Sequence, residues 1–222
     1  MEVTTKKSNS KTYILLGPPG CGKSTQAEYF KTRFGAVHLD MGGALRRAAA
    51  EPTAIGKRLY EIINGEHALV PDGVMRAVLE EELGKVPEDA LLIIDGTPRR
   101  ESQIDDVVGA LADFDRSIDK VIFIELSEAD SVERISNRFS CAGCGAKLIL
   151  GKDFAAGGTC PSCGGVVGQR ADDTSEGVGE RWRIFHEDTM PVLDFFAAHG
   201  KLIRVSGTEP AASISAKIDA AL

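Results

Sequence analysis

Apolar and polar positions along the chain fall into a repeating rhythm. Five short apolar runs, rich in β-branched residues, occupy residues 13–16, 36–39, 90–94, 121–126 and 202–205. None alternates cleanly between apolar and polar, so each is predicted to be a strand buried on both faces of a parallel sheet. Between them, apolar positions recur with helical period over 25–34, 74–83, 103–111 and 132–139. Strand and helix in alternation predict an α/β fold of three layers. Ser127 and Asp130 form a capping-box pattern ahead of the last of these helices. Pro191 is expected to start, kink or break a helix within 176–199.

Two stretches interrupt the rhythm. Residues 42–70 read as helical without a strand, and residues 139–170 are rich in glycine and cysteine. Eight of the 24 glycines fall between Gly143 and Gly168, a density that neither a helix nor a packed core strand tolerates. The second stretch therefore reads as an inserted module.

Composition narrows the function classes. At 222 residues, 43% hydrophobic and 27% charged, the chain is long enough for one sizeable core with small inserts. A net charge of -7 argues against a broad nucleic-acid surface, which needs clustered Lys and Arg. No apolar run approaches the roughly 20 residues that span a bilayer. The polar start, residues 1–11, lacks the apolar segment of a signal peptide; it is expected to be a flexible tail on a cytoplasmic protein that binds no membrane. Five cysteines, four of them in two Cys-x-x-Cys pairs, suit a metal site better than a disulfide framework.

The strand at 13–16 runs into Gly17-Pro18-Pro19-Gly20-Cys21-Gly22-Lys23-Ser24 and then a helix, the context that a phosphate-binding P-loop requires. Its glycines let backbone N–H groups face phosphates, Lys23 reaches the transferred group, and the Ser24 hydroxyl can ligate Mg²⁺. A glycine turn that merely joined strand to helix would need neither Lys nor Ser there. The strand at 90–94 ends in Asp95-Gly96-Thr97-Pro98-Arg99. A carboxylate at the end of a buried strand sits beside the P-loop, where it can hold a water of the magnesium ion, although an Asp there can equally cap the next helix. Arg99, four residues on, is expected to point into the same crevice, where it suits phosphate better than packing.

Cys141 and Cys144, then Cys160 and Cys163, enclose fifteen intervening residues. Knuckles at this spacing supply four thiolates to a tetrahedral structural zinc; reduced surface cysteines and an iron site are the alternatives. Arg134 and Arg138 precede this module and Arg170 and Arg181 follow it. Singly, each could be a solvated helix face; as a group they can converge on a triphosphate. Cys21 reads as a small packing residue, with redox sensing as the minor alternative. The four histidines show no ligand spacing.

Taken in order, these motifs resemble the adenylate kinase family in its form with a zinc-binding lid. The resemblance runs over residues 12–222. It rests on Lys23-Ser24-Thr25-Gln26-Ala27, the helix leading to Arg46, Leu69-Val70-Pro71-Asp72, Asp95-Gly96-Thr97-Pro98-Arg99 with Gln103, Arg134 with Arg138, the cysteine knuckles, Gln169-Arg170-Ala171-Asp172-Asp173, and Glu180-Arg181. It implies a doubly wound, five-stranded parallel P-loop core (12–41, 71–138 and 171–222), a monophosphate-binding insert (42–70) and a zinc-ribbon lid (139–170).

The activity implied is reversible transfer of the terminal phosphate of ATP to AMP, giving two ADP, with Mg²⁺ accompanying ATP. The resemblance assigns catalysis to Lys23, Arg99, Arg134, Arg138, Arg170 and Arg181. Nucleotide binding falls to those residues and to Gly17, Pro18, Pro19, Gly20, Cys21, Gly22, Ser24, Thr25, Met41, Arg46, Val70, Asp95, Gly96 and Gln103. Among these, Arg46 and Arg99 would grip the monophosphate and Gln103 would read the adenine edge.

Three departures bear on the acceptor pocket. Met41-Gly42-Gly43 stands where the family commonly has Thr-Gly-Asp, losing a hydroxyl and a carboxylate. Thr97 replaces a Phe, and Ser24 replaces a glycine. The alternatives are a kinase for UMP, CMP or GMP, a P-loop ATPase whose ribbon binds nucleic acid, and a binding module without catalysis. A monomer is expected.

Overall fold

The computed structural model describes residues 10–66, 68–169 and 173–222. Most of the expected tail, residues 1–9, lies outside the described residues, as do His67 and Arg170.

The chain opens with β1 (Thr12–Leu16), α1 (Lys23–Phe34) and β2 (Val37–Asp40), followed by α2 (Met41–Ala50) and α3 (Ala54–Tyr60). Then come α4 (Asp72–Leu83), β3 (Leu92–Asp95), α5 (Ser102–Ala112), β4 (Lys120–Glu125) and α6 (Glu128–Ser136). The inserted module holds β5 (Arg138–Cys141), β6 (Lys147–Ile149) and β7 (Val167–Gly168). The chain closes with α7 (Ser175–Ile184), α8 (Met190–Ala198), β8 (Leu202–Ser206) and α9 (Ala211–Ala221).

The five apolar runs become one all-parallel sheet in the order β2-β3-β1-β4-β8. Every residue of β1 is buried. Ile14 and Leu16 face a core built with α4, α5, α7 and α8, while Tyr13 and Leu15 face a second core built with α1 and α9. Helices on both faces explain why the strand sequences do not alternate. At the point where neighbouring strands β1 and β3 lead off to different sides, their carboxyl ends open a crevice, the position where ligands bind in such sheets.

The described residues of 42–70 form α2, α3 and a π-helical turn at Glu61–Gly65, with no strand among them. Around Pro191, α7 runs through a second π-helical segment, Phe185–Thr189, into α8, where Pro191 occupies the first turn. The wider turn leaves room for a ring that cannot donate to the preceding carbonyl. Ser127 caps α6 by accepting from the Asp130 N–H at 3.1 Å.

One expected helix is shorter than its sequence period. Helical character over 132–139 ends at Ser136, and Arg138 and Phe139 lie in β5. Asn137 stops the helix by donating its side-chain amide to the Glu133 carbonyl at 3.1 Å. Phe139 then packs edge-on against Phe154, ring centroids 5.1 Å apart, in a small core with Leu148, Cys141 and Cys160. Tertiary packing has overridden local period. The module is an antiparallel sheet in the order β6-β5-β7. No helix among the described residues is long and apolar enough to cross a membrane.

Candidate functional site

A cleft of about 910 Å³ opens at the carboxyl ends of the strands, floored by the loop between β1 and α1. That loop passes closely under β4. A Cβ built on Gly17, whose φ is +152°, would stand 2.5 Å from the Ile124 carbonyl and 2.6 Å from Cys21 Sγ, so only glycine fits. Lys23 Nζ donates to the carbonyls of Gly17 at 2.8 Å and Pro18 at 3.2 Å, and lies 3.5 Å from Cys21 Sγ. The ammonium is thus held at the loop's rim, at the start of α1. Ser24 Oγ donates to Asp95 Oδ2 at 3.4 Å, bringing together two hard oxygen ligands of the kind that magnesium takes.

Five of the arginines singled out from sequence border this cleft: Arg46, Arg99, Arg134, Arg138 and Arg181. Arg99 folds back so that its Nε donates to the Gly96 carbonyl at 2.8 Å. Burial lowers the pKa of its guanidinium; Asp95 opposes that shift, and the charges of Arg181 and Arg46 add to it. The three guanidinium groups thus crowd one another, an arrangement suited to an anion. Arg134 donates to the Gly207 carbonyl at 2.8 Å.

Arg138 and Arg181 meet on one carboxylate. Asp173 accepts from Arg138 Nε at 3.0 Å and Nη2 at 2.5 Å, and its Oδ1 also accepts from Arg181 Nη2 at 3.0 Å. The Asp173 side chain has no exposed surface. In the sequence, the paired acids after Arg170 are the only signal for Asp173, and they do not reveal this role.

The remaining predicted residues, Gly17, Pro19, Gly20, Cys21, Gly22, Thr25, Met41, Val70, Gly96 and Gln103, also border the cleft. Pro18 does not, and contributes only the carbonyl that Lys23 holds. Arg170 lies outside the described residues. Gln103 Oε1 accepts from the Arg99 backbone N–H at 2.7 Å, and its Nε2 donates to Asp72 Oδ1 at 2.8 Å. Thr97 donates its hydroxyl to Met75 Sδ at 3.1 Å, turning the departure from Phe into a contact inside the core.

The departure at Met41-Gly42-Gly43 costs this helix start no carboxylate, because Asp40 supplies one. Asp40 caps α2 by accepting from the Gly43 N–H at 2.9 Å, and its Oδ2 stands 3.9 Å from Arg46 Nη2. Burial pushes the Asp40 carboxyl up, but the Gly43 N–H and the nearby Arg46, His38 and Lys147 outweigh it and hold it below the usual carboxylate range. A Cβ on Gly43 would come within 2.6 Å of Asp40 Oδ2, so the glycine makes room for the cap.

His38, one of the four histidines without ligand spacing in the sequence, has its Nε2 3.8 Å from Asp95 Oδ2. His186 stacks on Trp182, and His199 Nδ1 lies 2.7 Å from the Phe195 carbonyl.

The four knuckle cysteines converge at the tip of the inserted module. Cys141 Sγ lies 3.4 Å from Cys163 Sγ and Cys144 Sγ 3.7 Å from Cys160 Sγ, and all four sulfurs fall within 4.8 Å of one another. A tetrahedron with Zn–S bonds of ordinary length has sulfurs about 3.8 Å apart, so the cluster has the size of a metal site. A Cβ on Gly165 would stand 3.0 Å from Cys141 Sγ, which is why the knuckle carries glycine.

A family model described as Adenylate kinase matches residues 15–201. Adenylate kinase of Kosmotoga olearia is 39% identical over 196 residues, covering 88% of this chain and 91% of that protein. Adenylate kinase of Caldicellulosiruptor bescii is 35% identical over 210 residues, covering 94% and 97%. Adenylate kinase of Archaeoglobus fulgidus is 35% identical over 211 residues, covering 94% and 96%. With a family model spanning most of the chain, relatives matched over nearly their full length, and a P-loop cleft ringed by arginines, the chain belongs to the adenylate kinase family.

Proposed function

We propose that the protein reversibly transfers the terminal phosphate of ATP to AMP, giving two ADP. The observation that carries this is the convergence in one cleft of Lys23, Ser24 and Asp95 with five arginines contributed by the core, the 42–70 arm and the start of the strand that leads into the inserted module. An acceptor phosphate oxygen attacks the terminal phosphorus while the bridging oxygen to the donor's second phosphate departs. No proton-transferring side chain is needed if the groups are aligned and the charge is matched.

Lys23 and backbone N–H groups of the loop cradle the donor phosphates. Arg134, Arg138, Arg170 and Arg181 meet the charge on the transferring group, while Arg46 and Arg99 hold the acceptor's phosphate. Val70 and Gly96 line the acceptor pocket, and Gln103 reads its base. A magnesium ion held by the Ser24 hydroxyl and, through water, by Asp95 would supply charge neutralisation on the phosphates. Four thiolates from Cys141, Cys144, Cys160 and Cys163 would hold a structural zinc in a closed shell with no open position.

Residues 139–170 act as a lid that excludes water, and residues 42–70 as the acceptor arm, both mounted on the core of 12–41, 71–138 and 171–222. Thiols kept available for a metal favour a reducing compartment and so a cytoplasmic setting. Action as a monomer is part of the same proposal.

The test is a coupled assay with ATP as donor and AMP, GMP, CMP and UMP in turn as acceptors, with free phosphate measured in parallel. AMP should give the highest kcat/KM and ADP should account for the ATP consumed. Preference for UMP or CMP, or phosphate release as the main product, overturns the assignment.

A further inference from the structure

Gln103 lies in the first turn of α5, buried, with both ends of its amide engaged. The Arg99 backbone N–H donates to its oxygen at 2.7 Å, and its nitrogen donates to Asp72 Oδ1 at 2.8 Å. A backbone N–H can only donate and a carboxylate can only accept. The two orientations of an amide, ordinarily close in energy, therefore reduce to one here: turning it over would set N–H against N–H and oxygen against carboxylate.

Asp72 is itself held. Ser102 Oγ donates to its Oδ2 at 2.7 Å, and Arg100 Nη1 stands 3.5 Å from its Oδ1. Burial pushes the Asp72 carboxyl up, and Ser102, Gln103 and Arg100 together outweigh it, so the group stays ionised and acceptor-only at neutral pH.

With one hydrogen bond spent at each end, Gln103 retains one N–H and one oxygen lone pair, in fixed order. Adenine offers an amino donor at position 6 beside an acceptor at N1. A 6-oxopurine offers the reverse, an acceptor at position 6 beside an N1–H donor. An amide free to turn serves both bases, whereas a locked amide serves one. We propose that Asp72 is a positioning residue for acceptor specificity: by locking the amide of Gln103 it selects a 6-aminopurine monophosphate over a 6-oxopurine monophosphate of the same size. The inference rests on Gln103 facing the acceptor's base, as proposed above. Against the wrong base each partner meets its own kind, and unpaired buried polar groups discriminate far more sharply than shape does.

The experiment compares AMP with inosine monophosphate, which matches it in size and differs at position 6 and N1, as acceptors for the full-length protein, Asp72→Asn and Ser102→Ala, with ATP as donor. The parent should favour AMP strongly. In Asp72→Asn the second amide can turn to accept as well as donate, so only the Arg99 N–H still opposes the turned form of Gln103, and the AMP/IMP ratio of kcat/KM should fall by about fivefold or more. The change should come from opposite movements in the two KM values rather than from kcat, a signature that simple destabilisation does not produce. Ser102→Ala loosens the carboxylate without removing it and should lower the ratio by about twofold. An unchanged ratio in a folded Asp72→Asn overturns the proposal; if that variant does not fold, an unchanged ratio in Ser102→Ala does so. A parent that fails to phosphorylate AMP instead overturns the assignment of function, so the two failures are distinct.

Discussion

Arg138 and Arg181 approach the cleft from different elements, a strand of the inserted module and helix α7, and one buried carboxylate holds both in place. Replacing Lys23 or Arg138 with Ala should lower kcat by about two to four orders of magnitude and leave the melting temperature near native, because in the proposed reaction each acts on charge in the transition state. Asp173→Asn removes the negative charge but keeps the shape, so both guanidinium groups lose their anchor; kcat should fall by roughly two orders of magnitude. Steady-state kinetics with circular dichroism melting checks all three. A kcat within a few fold of the parent in Asp173→Asn would show that the arginines are placed by something else. The place of Lys23 at the rim of the loop was legible in the sequence because the spacing of a P-loop dictates it. Asp173 was not, since two arginines meet one carboxylate only after segments 35 and 8 residues away fold together. The engagement of Gln103 with Asp72, 31 residues apart, was hidden for the same reason.

At the level of elements, β5 joins the four-cysteine cluster to the cleft: it starts at Arg138 and ends at Cys141. The module's own hydrophobic core is small, so four sulfurs without a metal leave it little to fold around. Stripping the metal should loosen this segment and abolish kinase activity while the parallel sheet stays folded. Thiol titration can follow this. Cys141, Cys144, Cys160 and Cys163 should become reactive on chelation, and Cys21, buried beneath the P-loop, only on global unfolding. Protein purified without added metal should carry one zinc per chain, and absence of both zinc and iron would refute a metal ribbon. The five strands and the ribbon were visible in sequence because apolar runs and cysteine spacing are local signals. The end of α6 was not, because helical period continues past Ser136 while Asn137 and the packing of Phe139 stop the helix. The π-helical segment ahead of Pro191 also escaped notice, since a proline shows that a helix must adjust but not how.

For the molecule as a whole, stability resides in the doubly covered sheet. Ile94, in β3 with no exposed surface, is packed between β1 and β2. Ile94→Ala should destabilise the protein by about 2–5 kcal/mol and lower the denaturant midpoint of the whole core, in contrast to metal removal, which should leave that midpoint nearly unchanged. Fluorescence of Trp182, which packs in the main core, reports the transition. Equal effects of the two perturbations would mean that the inserted module and the sheet unfold as one unit.

The Asp40 cap carries a consequence for how such a chain can change. With the Asp40 carboxylate folded over the start of α2, any side chain at position 43 pushes it from its hydrogen bond, while a smaller residue at 40 leaves space at 43. Substitutions at the two positions are therefore epistatic, and their order matters. Gly43→Asp made first sets two carboxylates in the same place; made after Asp40→Ser, it restores the lost charge. In a library covering both positions under selection for kinase activity, acidic residues at 43 should survive only alongside a small neutral residue at 40. The acid at this helix start would then be a shared property of two sites, held by one of them at a time.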